Sequence, residues 1–385
     1  MSVPSLPLRI AGAEVTTGEW IDVRSPWSGE LFARAAKAGP PEIERAIAEA
    51  AAGFEETRRL PAHRRAEILR RLGEELSGVR AELADTIIAE AGKPRRYAEA
   101  EVERGLTTVR LASEEATRIG GEVLPVDIDP RGEGAFCAVR RFPVGPVTAI
   151  TPFNFPLNLA LHKVAPALAA GNPVILKPSP RTPATADLLA RAVEASGWPA
   201  KAFSLVHAEP DVARPLWTDE RVRCVSFTGS DVVGWRIKAE ASTKKVTLEL
   251  GGNAAAIVCE DAAIQEAAEK LATAAFAYAG QVCIKAQRLI VARPIYEAFL
   301  AAFLAAARKI EPADPSGAAA VLGPMIDSES ATRVESWVAE AGAAGAELLL
   351  PGRREGSKLW PVVAADVPAG ASLREREIFG PVVTI

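Results

Sequence analysis

From Pro146 onward the chain alternates between two periods, and that alternation limits its possible folds more than any other feature. Short β-branched runs at PVTAIT (146–151), PVILKPS (173–179), 203–206 and 222–227 each close on a turn. Helical spacing fills the gaps at 157–170, 184–196 and 211–217. Strands that alternate with helices through short loops imply a parallel sheet covered on both faces. Ligands of such a sheet bind beyond the carboxyl ends of its strands, so chemistry is expected where the strands stop.

One strand end stands out. In KVTLELGGN, Val246, Leu248 and Leu250 alternate, and Gly251-Gly252 ends the run. Ile264, Ala268, Leu271, Ala275 and Tyr278 then follow helical spacing, with Asp261 as the expected N-cap and Gly280 as the stop. The strand therefore delivers Glu249, and the helix delivers Cys283 in GQVCIKAQR. An acid and a thiol can face one cleft from these two element ends. A second α/β unit begins after residue 249 and runs to the end of the chain.

The N-terminal part reads differently. Residues 1–38 are short strands and turns. Ile43, Ile47, Ala50 and Phe54 form one apolar stripe. Leu69, Leu72, Leu76, Val79, Leu83 and Ile87 form another, on one longer helix opened near Pro61. A third helix follows Gly92-Lys93-Pro94. These stripes are packing faces. Residues 121–145 are two extended segments around a Pro/Gly turn, a hairpin that is either an arm toward a partner subunit or an ordinary surface ribbon.

Composition removes several classes of function. With 385 residues, 49% of them hydrophobic, two or three domains with real cores are expected. The formal net charge is −4 and no long basic run occurs, so neither nucleic acid nor an anionic membrane is an expected partner. No apolar run reaches the roughly 18 residues of a membrane span, and the first residues lack the pattern of a signal peptide. A cytoplasmic location is the expectation. The four cysteines form no CxxC pair and the three histidines do not cluster, which speaks against a zinc site or a disulfide framework.

Four more segments sit at strand ends. In TPFNFP (151–156), Asn154 offers an uncharged donor suited to an oxyanion, or is a turn asparagine bonded to its own backbone. In ILKPS (175–179), Lys177 suits a ribose or phosphate, or is simply solvated. In FTGSDVVG (227–234), Gly229 and Gly234 permit close backbone approach at a helix N-terminus, although the spacing is not GxGxxG. In EREIFGP (375–381), Glu377 can bridge two sugar hydroxyls and Phe379 can pack on a flat heterocycle, or the pair is a surface acid before a turn. Cys283 itself is either reactive or merely buried.

In this order and at these spacings, TPFNFP, ILKPS, FTGS, LELGG, GQVCIKAQR and EREIFGP together resemble the motifs of the aldehyde dehydrogenase superfamily, in its NAD(P)-dependent, non-acylating branch. The resemblance implies an α/β fold: a doubly wound parallel-sheet coenzyme domain (1–120 and 146–249), a β-hairpin oligomerisation arm (121–145) and a second α/β catalytic domain (250–385) that is shortened at its C-terminus. It implies Cys283 as nucleophile, Glu249 as general base, Asn154 as oxyanion donor and Lys163 as the lysine near the active site. It implies NAD or NADP held by Thr151, Pro152 and Phe153, by Lys177 and Ser179 on the adenosine side, and by Gly229, Ser230 and Gly234 around the pyrophosphate. Leu250, Gly251, Glu377 and Phe379 fall to the nicotinamide end. No metal is implied, and a homodimer or homotetramer is.

The implied reaction oxidises a small-molecule aldehyde to a carboxylic acid through a cysteine thiohemiacetal and thioester. Two other readings are a coenzyme A-acylating enzyme, which Glu249 speaks against, and a catalytically impaired or structural protein on the same scaffold. Phe153 stands where tryptophan is common in the family. Pro180 stands where NAD-preferring members often carry a glutamate, so use of both coenzymes is expected, with Lys177 or Arg181 meeting the 2′-phosphate. Phe155, Leu159, His162, Val282 and Ile284 are expected to line the substrate side, for an aldehyde without a strongly anionic tail.

Overall fold

In the computed structural model, which describes residues 3–385, the expected parallel strands stand side by side. Their order is Lys245–Glu249, Cys224–Thr228, Val147–Ile150, Val174–Lys177 and Phe203–Leu205. Val147–Ile150 is buried along its whole length, which is why it reads as a continuous apolar run rather than an alternating one. Two short strands near the N-terminus, Leu8–Ile10 and Ala13–Val15, extend the sheet antiparallel to seven strands. At three residues each they carry too little periodicity to be placed from sequence. A separate three-stranded sheet joins Ser5–Leu6, Leu31–Ala36 and Trp20–Arg24.

The order of the strands decides where a ligand fits. From Val147–Ile150 the chain steps outward one way to Val174–Lys177 and Phe203–Leu205. It then crosses back and steps the other way through Cys224–Thr228 to Lys245–Glu249. The direction reverses between the ends of Val147–Ile150 and Cys224–Thr228, which opens a crevice there. TPFNFP and FTGS are the segments that leave those two strand ends.

The second sheet runs Ala255–Val258, Arg288–Val291, Val382–Thr384, Val362–Ala365 and Glu347–Leu350, parallel except for the last strand. Helices Ile264–Phe276 and Tyr296–Ala307 pack together over a core in which the Phe299 and Phe303 rings stack at 5.9 Å. Together the two sheets give the expected α/β architecture.

Three local expectations change. The long helix from Pro61 is two helices, Ala62–Gly78 and Arg80–Ala91, parted at Val79 with φ −113 and ψ 20. The apolar stripe continues across the break, with Leu76 and Leu83 both fully buried, so periodicity does not reveal it. Segment 211–217 is two four-residue turns, Pro210–Ala213 and Pro215–Thr218, because Pro215 has no N–H to continue a helix. Helix Ile264–Phe276 is preceded by Ala263 rather than capped by Asp261. It stops before Tyr278, which with Ala279 adopts left-handed backbone at φ 52 and φ 55.

Residues 121–145 do form a hairpin, Gly121–Leu124 against Cys137–Arg140. It carries exposed apolar side chains, among them Ile128 at 87% and Phe136 at 79%. Among the described residues no helix is long and apolar enough to cross a membrane, and no cluster of metal-ligating side chains occurs.

Candidate active site

Cys283 lies on an exposed turn that the left-handed pair Tyr278-Ala279 and Gly280 aim back toward the end of the first sheet. Its carbonyl lies beside Gly252, where an added Cβ would stand 3.8 Å away. The LELGG strand end and the nucleophile turn therefore touch. Glu249 is exposed at that strand end, and its charge bears on the Cys283 thiol, on Lys163 and on His162. The turn of Cys283 and the strand end of Glu249 thus adjoin at Gly252.

Burial pushes the Cys283 thiol up, and the carboxylates of Glu377 and Glu249 push it further. The backbone N–H groups of Cys283 and Ile284 pull the other way. The same N–H groups are suited to receive charge that builds next to the sulfur. Asn154 is buried, and its Nδ2 donates to the Gln281 carbonyl at 3.0 Å. This is a bond across 127 residues, so the turn reading, in which the side chain bonds its own backbone, does not hold. One amide hydrogen remains free. Lys163 donates to Thr228 Oγ1 at 2.7 Å and to Ser226 Oγ at 3.2 Å. Burial lowers its ammonium to about 8, against the pull of Glu249.

The remaining candidates lie in the segments around these strand ends. Thr151 is buried and its Oγ1 has no partner. Pro152 and Phe153 are partly exposed, and the Phe153 ring meets Phe379 edge-on at 5.9 Å and 88°. Phe379 holds the left-handed region at φ 48, a strained state for a bulky residue. Gly252 N donates to the Glu377 carboxylate at 3.3 Å. A Cβ on Gly251 would fall 1.9 Å from Glu377 Oε2, so only glycine lets that carboxylate in. A Cβ on Gly229 would lie 2.6 Å from the Phe227 ring, and one on Gly234 would lie 2.4 Å from Leu250 Cδ2. Ser230 caps helix Asp231–Glu240 by accepting from Val233 N at 3.5 Å.

Lys177 ends its strand half-buried. Burial lowers its ammonium and Glu209 opposes the shift. Ser179 Oγ accepts from Arg181 N at 3.2 Å. Arg181 itself bonds Asp327 at 2.6 Å, so among the described residues only Lys177, of the two cations expected at a 2′-phosphate, is free of an ion pair. On the substrate side Phe155, Leu159 and Val282 are partly exposed, while His162 and Ile284 are exposed, Ile284 by 80%.

A family model described as the aldehyde dehydrogenase family matches residues 13–385. A putative aldehyde-dehydrogenase-like protein of Sinorhizobium fredii is 40% identical over 365 residues, which span 95% of this chain and 71% of that protein. A 3-sulfolactaldehyde dehydrogenase of Priestia aryabhattai is 37% identical over 379 residues, spanning 98% and 79%. The crystal structure of aldehyde dehydrogenase 21 from Physcomitrella patens, in complex with the reaction product succinate, superposes with a TM-score of 0.96 at 38% identity. The match covers 100% of this chain and 80% of that one.

The chain belongs to the aldehyde dehydrogenase family.

It is an oxidoreductase that converts an aldehyde to a carboxylic acid with NAD(P)⁺, and solved members include NAD- and NADP-dependent enzymes. This aldehyde dehydrogenase also holds its site together with residues that sequence reasoning missed. Lys285, two residues past the cysteine, is buried and donates to the carbonyls of Gly380 at 2.6 Å and Val382 at 2.7 Å. Gln287 donates to Arg376 O at 2.7 Å and to Asn253 Oδ1 at 2.9 Å, and it accepts from Ile378 N at 2.8 Å. Gln281 accepts from Ile326 N at 2.8 Å. These side chains tie the nucleophile turn to LELGG and to EREIFGP. Their one sequence signal was polarity just before the strand Arg288–Val291. His207 was missed as well. It is fully buried behind Lys177, neither ring nitrogen has a partner, and burial together with the Lys177 charge pushes it down to about 3.

Proposed function

We propose that Cys283, Glu249, Asn154 and Lys163 form the active site of a hydrolytic aldehyde dehydrogenase. The carrying observation is the contact of the Cys283 turn with the Glu249 strand end at Gly252, with the Asn154 amide bonded to the Gln281 carbonyl beside it. The Cys283 thiol gives its proton to Glu249, which passes it to solvent; the sulfur attacks the aldehyde carbon, and the carbonyl oxygen becomes an alkoxide. The free Asn154 N–H and the Cys283 backbone N–H receive that charge. A bound nicotinamide dinucleotide supplies the hydride acceptor. Glu249 takes a proton from water, whose oxygen then attacks the Cys283 thioester and releases the acid and the thiol. Lys163, bonded to two strand hydroxyls, holds the floor of the cleft opposite Glu249.

The dinucleotide fits the residues present. Thr151 Oγ1 is an orphaned polar atom at the crevice, Gly229 and Gly234 leave the turn bare, and Lys177 and Glu377 stand at its two ends. The proposed coenzyme domain comprises 1–120 and 146–249, and the catalytic domain begins at 250. The 121–145 hairpin, with its exposed Ile128 and Phe136, is proposed to pair subunits as a homodimer or homotetramer, and sedimentation tests this.

The substrate is proposed to be an aldehyde bearing an anionic group. The relatives named for sulfolactaldehyde and crystallised with succinate support this, against the apolar reading of the wall. Within the chain, the exposed Arg104 guanidinium acts on His162, and among the described residues Arg104 forms no ion pair. The decisive experiment follows NADH formation with Glu249→Gln. One stoichiometric burst followed by a stall in Glu249→Gln, with turnover of the parent independent of coenzyme A, fits the reading. Turnover that requires coenzyme A in the parent would replace it with the acylating one.

A further inference from the structure

The loop that carries Asn154 leads into a helix start that is held from another part of the chain. Helix Asn158–Ala169, which follows it, has no side-chain cap. Its first N–H groups, those of Leu157 and Asn158, instead donate to Glu101 Oε1 at 2.9 Å and 3.0 Å. Glu101 comes from a different helix, Arg95–Ala116, and its second oxygen meets Lys93 Nζ. Both side chains of this ion pair are 0% exposed.

Lys93 has further company. Its ammonium stands 3.6 Å from the centroid of the Phe155 ring and 4.8 Å from that of Tyr278. Phe155 adjoins Asn154 in the chain. Tyr278 is the strained left-handed residue at φ 52, its carbonyl accepts from Gln281 N at 3.1 Å, and Gln281 in turn accepts from Asn154. One buried cation thus touches both halves of the oxyanion site, and its carboxylate partner fixes the helix start behind it. A buried ion pair contributes little to stability over an apolar pair of the same size. Here both charges are spent on active-site loops.

We propose that Lys93 and Glu101 are positioning residues that set the Asn154 amide at the distance from Cys283 where an alkoxide forms. The proposal rests on Asn154 being the oxyanion donor. Neither residue touches substrate; both act through the 151–158 loop and the 277–283 turn.

The test is a double-mutant cycle on turnover, with Lys93→Met and Asn154→Ala singly and together. Lys93→Met is expected to lower kcat on the order of 10²-fold, the cost of about 1 Å of misplacement. With Asn154 already truncated, the same change is expected to cost less than about threefold, since the two losses share one cause. Equal losses in both backgrounds overturn the proposal and leave Asn154's role standing. Undiminished turnover in Asn154→Ala alone overturns both. Alkylation of Cys283 by iodoacetamide builds no oxyanion, so its rate in Lys93→Met is expected to match the parent; a large change means general collapse of the site and also overturns the proposal. Where Lys93→Met does not fold, Glu101→Gln, which keeps an acceptor for the two N–H groups, enters the same cycle with the same outcomes.

Discussion

At Gly280 the Cys283 turn packs against the loop of Glu377–Pro381, and replacing it by alanine tests whether that contact sets the geometry of catalysis. Gly280 sits at φ 65 with the Gly380 carbonyl oxygen 2.3 Å from where a Cβ would be. Real Cβ contacts do not fall below 3.0 Å, so the two segments must part by 3.0 − 2.3, or 0.7 Å, at least. The left-handed backbone adds about 1–2 kcal/mol of strain for any residue with a Cβ, and overpacking of a tight contact adds about 1–3 kcal/mol. The expected loss for Gly280→Ala is therefore about 2–5 kcal/mol of stability, read from urea denaturation midpoints. The oxygen that must retreat also accepts from Lys285 at 2.6 Å and follows the strained Phe379. The separation should reach Glu377 and Phe379, raising KM for the coenzyme and lowering kcat on the order of 10²-fold. A variant with parental denaturation midpoint, coenzyme KM and kcat would refute the idea that this contact sets the geometry of the site.

Asn154→Ala should lower turnover by about 10²–10³ while leaving coenzyme affinity nearly intact; near-parental kcat would remove Asn154 from the oxyanion site. Glu377→Gln takes away a carboxylate that holds the Cys283 thiol up, so alkylation of Cys283 at pH 8 should speed up, and an unchanged or slower rate contradicts the assignment. Burial lowers Lys285 to about 7, whereas the unfolded chain keeps that proton until about 10.4. Above pH 7 the folded state therefore binds fewer protons than the unfolded state, and stability gains with rising pH by up to about 1.4 kcal/mol per unit. The stability of the parent relative to Lys285→Met should thus rise by about 2 kcal/mol between pH 7 and pH 9, and a flat difference would show that the two carbonyls keep the ammonium charged. Pro180 and the free Lys177 lead to Kd values for NAD⁺ and NADP⁺ within a hundredfold of each other; a wider gap in favour of NAD⁺ would assign discrimination to Glu209, the carboxylate that acts on Lys177.

Asn154, Gly229 and Glu249 lie at or just past the ends of parallel strands before Gly- or Pro-rich turns, and a parallel sheet brings such ends to one side. Cys283 and Glu377 fall outside that rule, since each follows a helix, Ile264–Phe276 or Ser372–Glu375, and precedes a strand, so EREIFGP does not close a strand as its pattern implied. What the residues bond was not legible. The Asn154 partner lies 127 residues away, and Arg181, read as a free cation, is held by Asp327 from 146 residues away.

The buried charges were hidden for a different reason. Glu101 sits in an amphipathic helix among Ala98, Val102 and Gly105, all buried, and a carboxylate in such a stripe reads as an imperfection. Glu90 occupies the same kind of place among Ile87, Ile88 and Ala91 on helix Arg80–Ala91. Yet the two do the same job. Glu101 takes the N–H groups of Leu157 and Asn158, and Glu90 takes those of Ala184 at 2.8 Å and Thr185 at 3.0 Å. Both recipient helices, Asn158–Ala169 and Pro183–Ala195, lack a side-chain cap of their own, and both follow a central strand toward the crevice. A helix start buried against a neighbour cannot leave those donors to water, and a carboxylate is the acceptor its positive end favours. For Glu90 the cost of that burial is visible, since its carboxyl is pushed up to about 7 in spite of three hydrogen bonds. A carboxylate on the core face of one helix, paired with a missing N-cap on another, is therefore a tertiary contact that can be looked for in sequence, and in this chain it marks the two helices that follow the Asn154 loop and the Lys177 strand end.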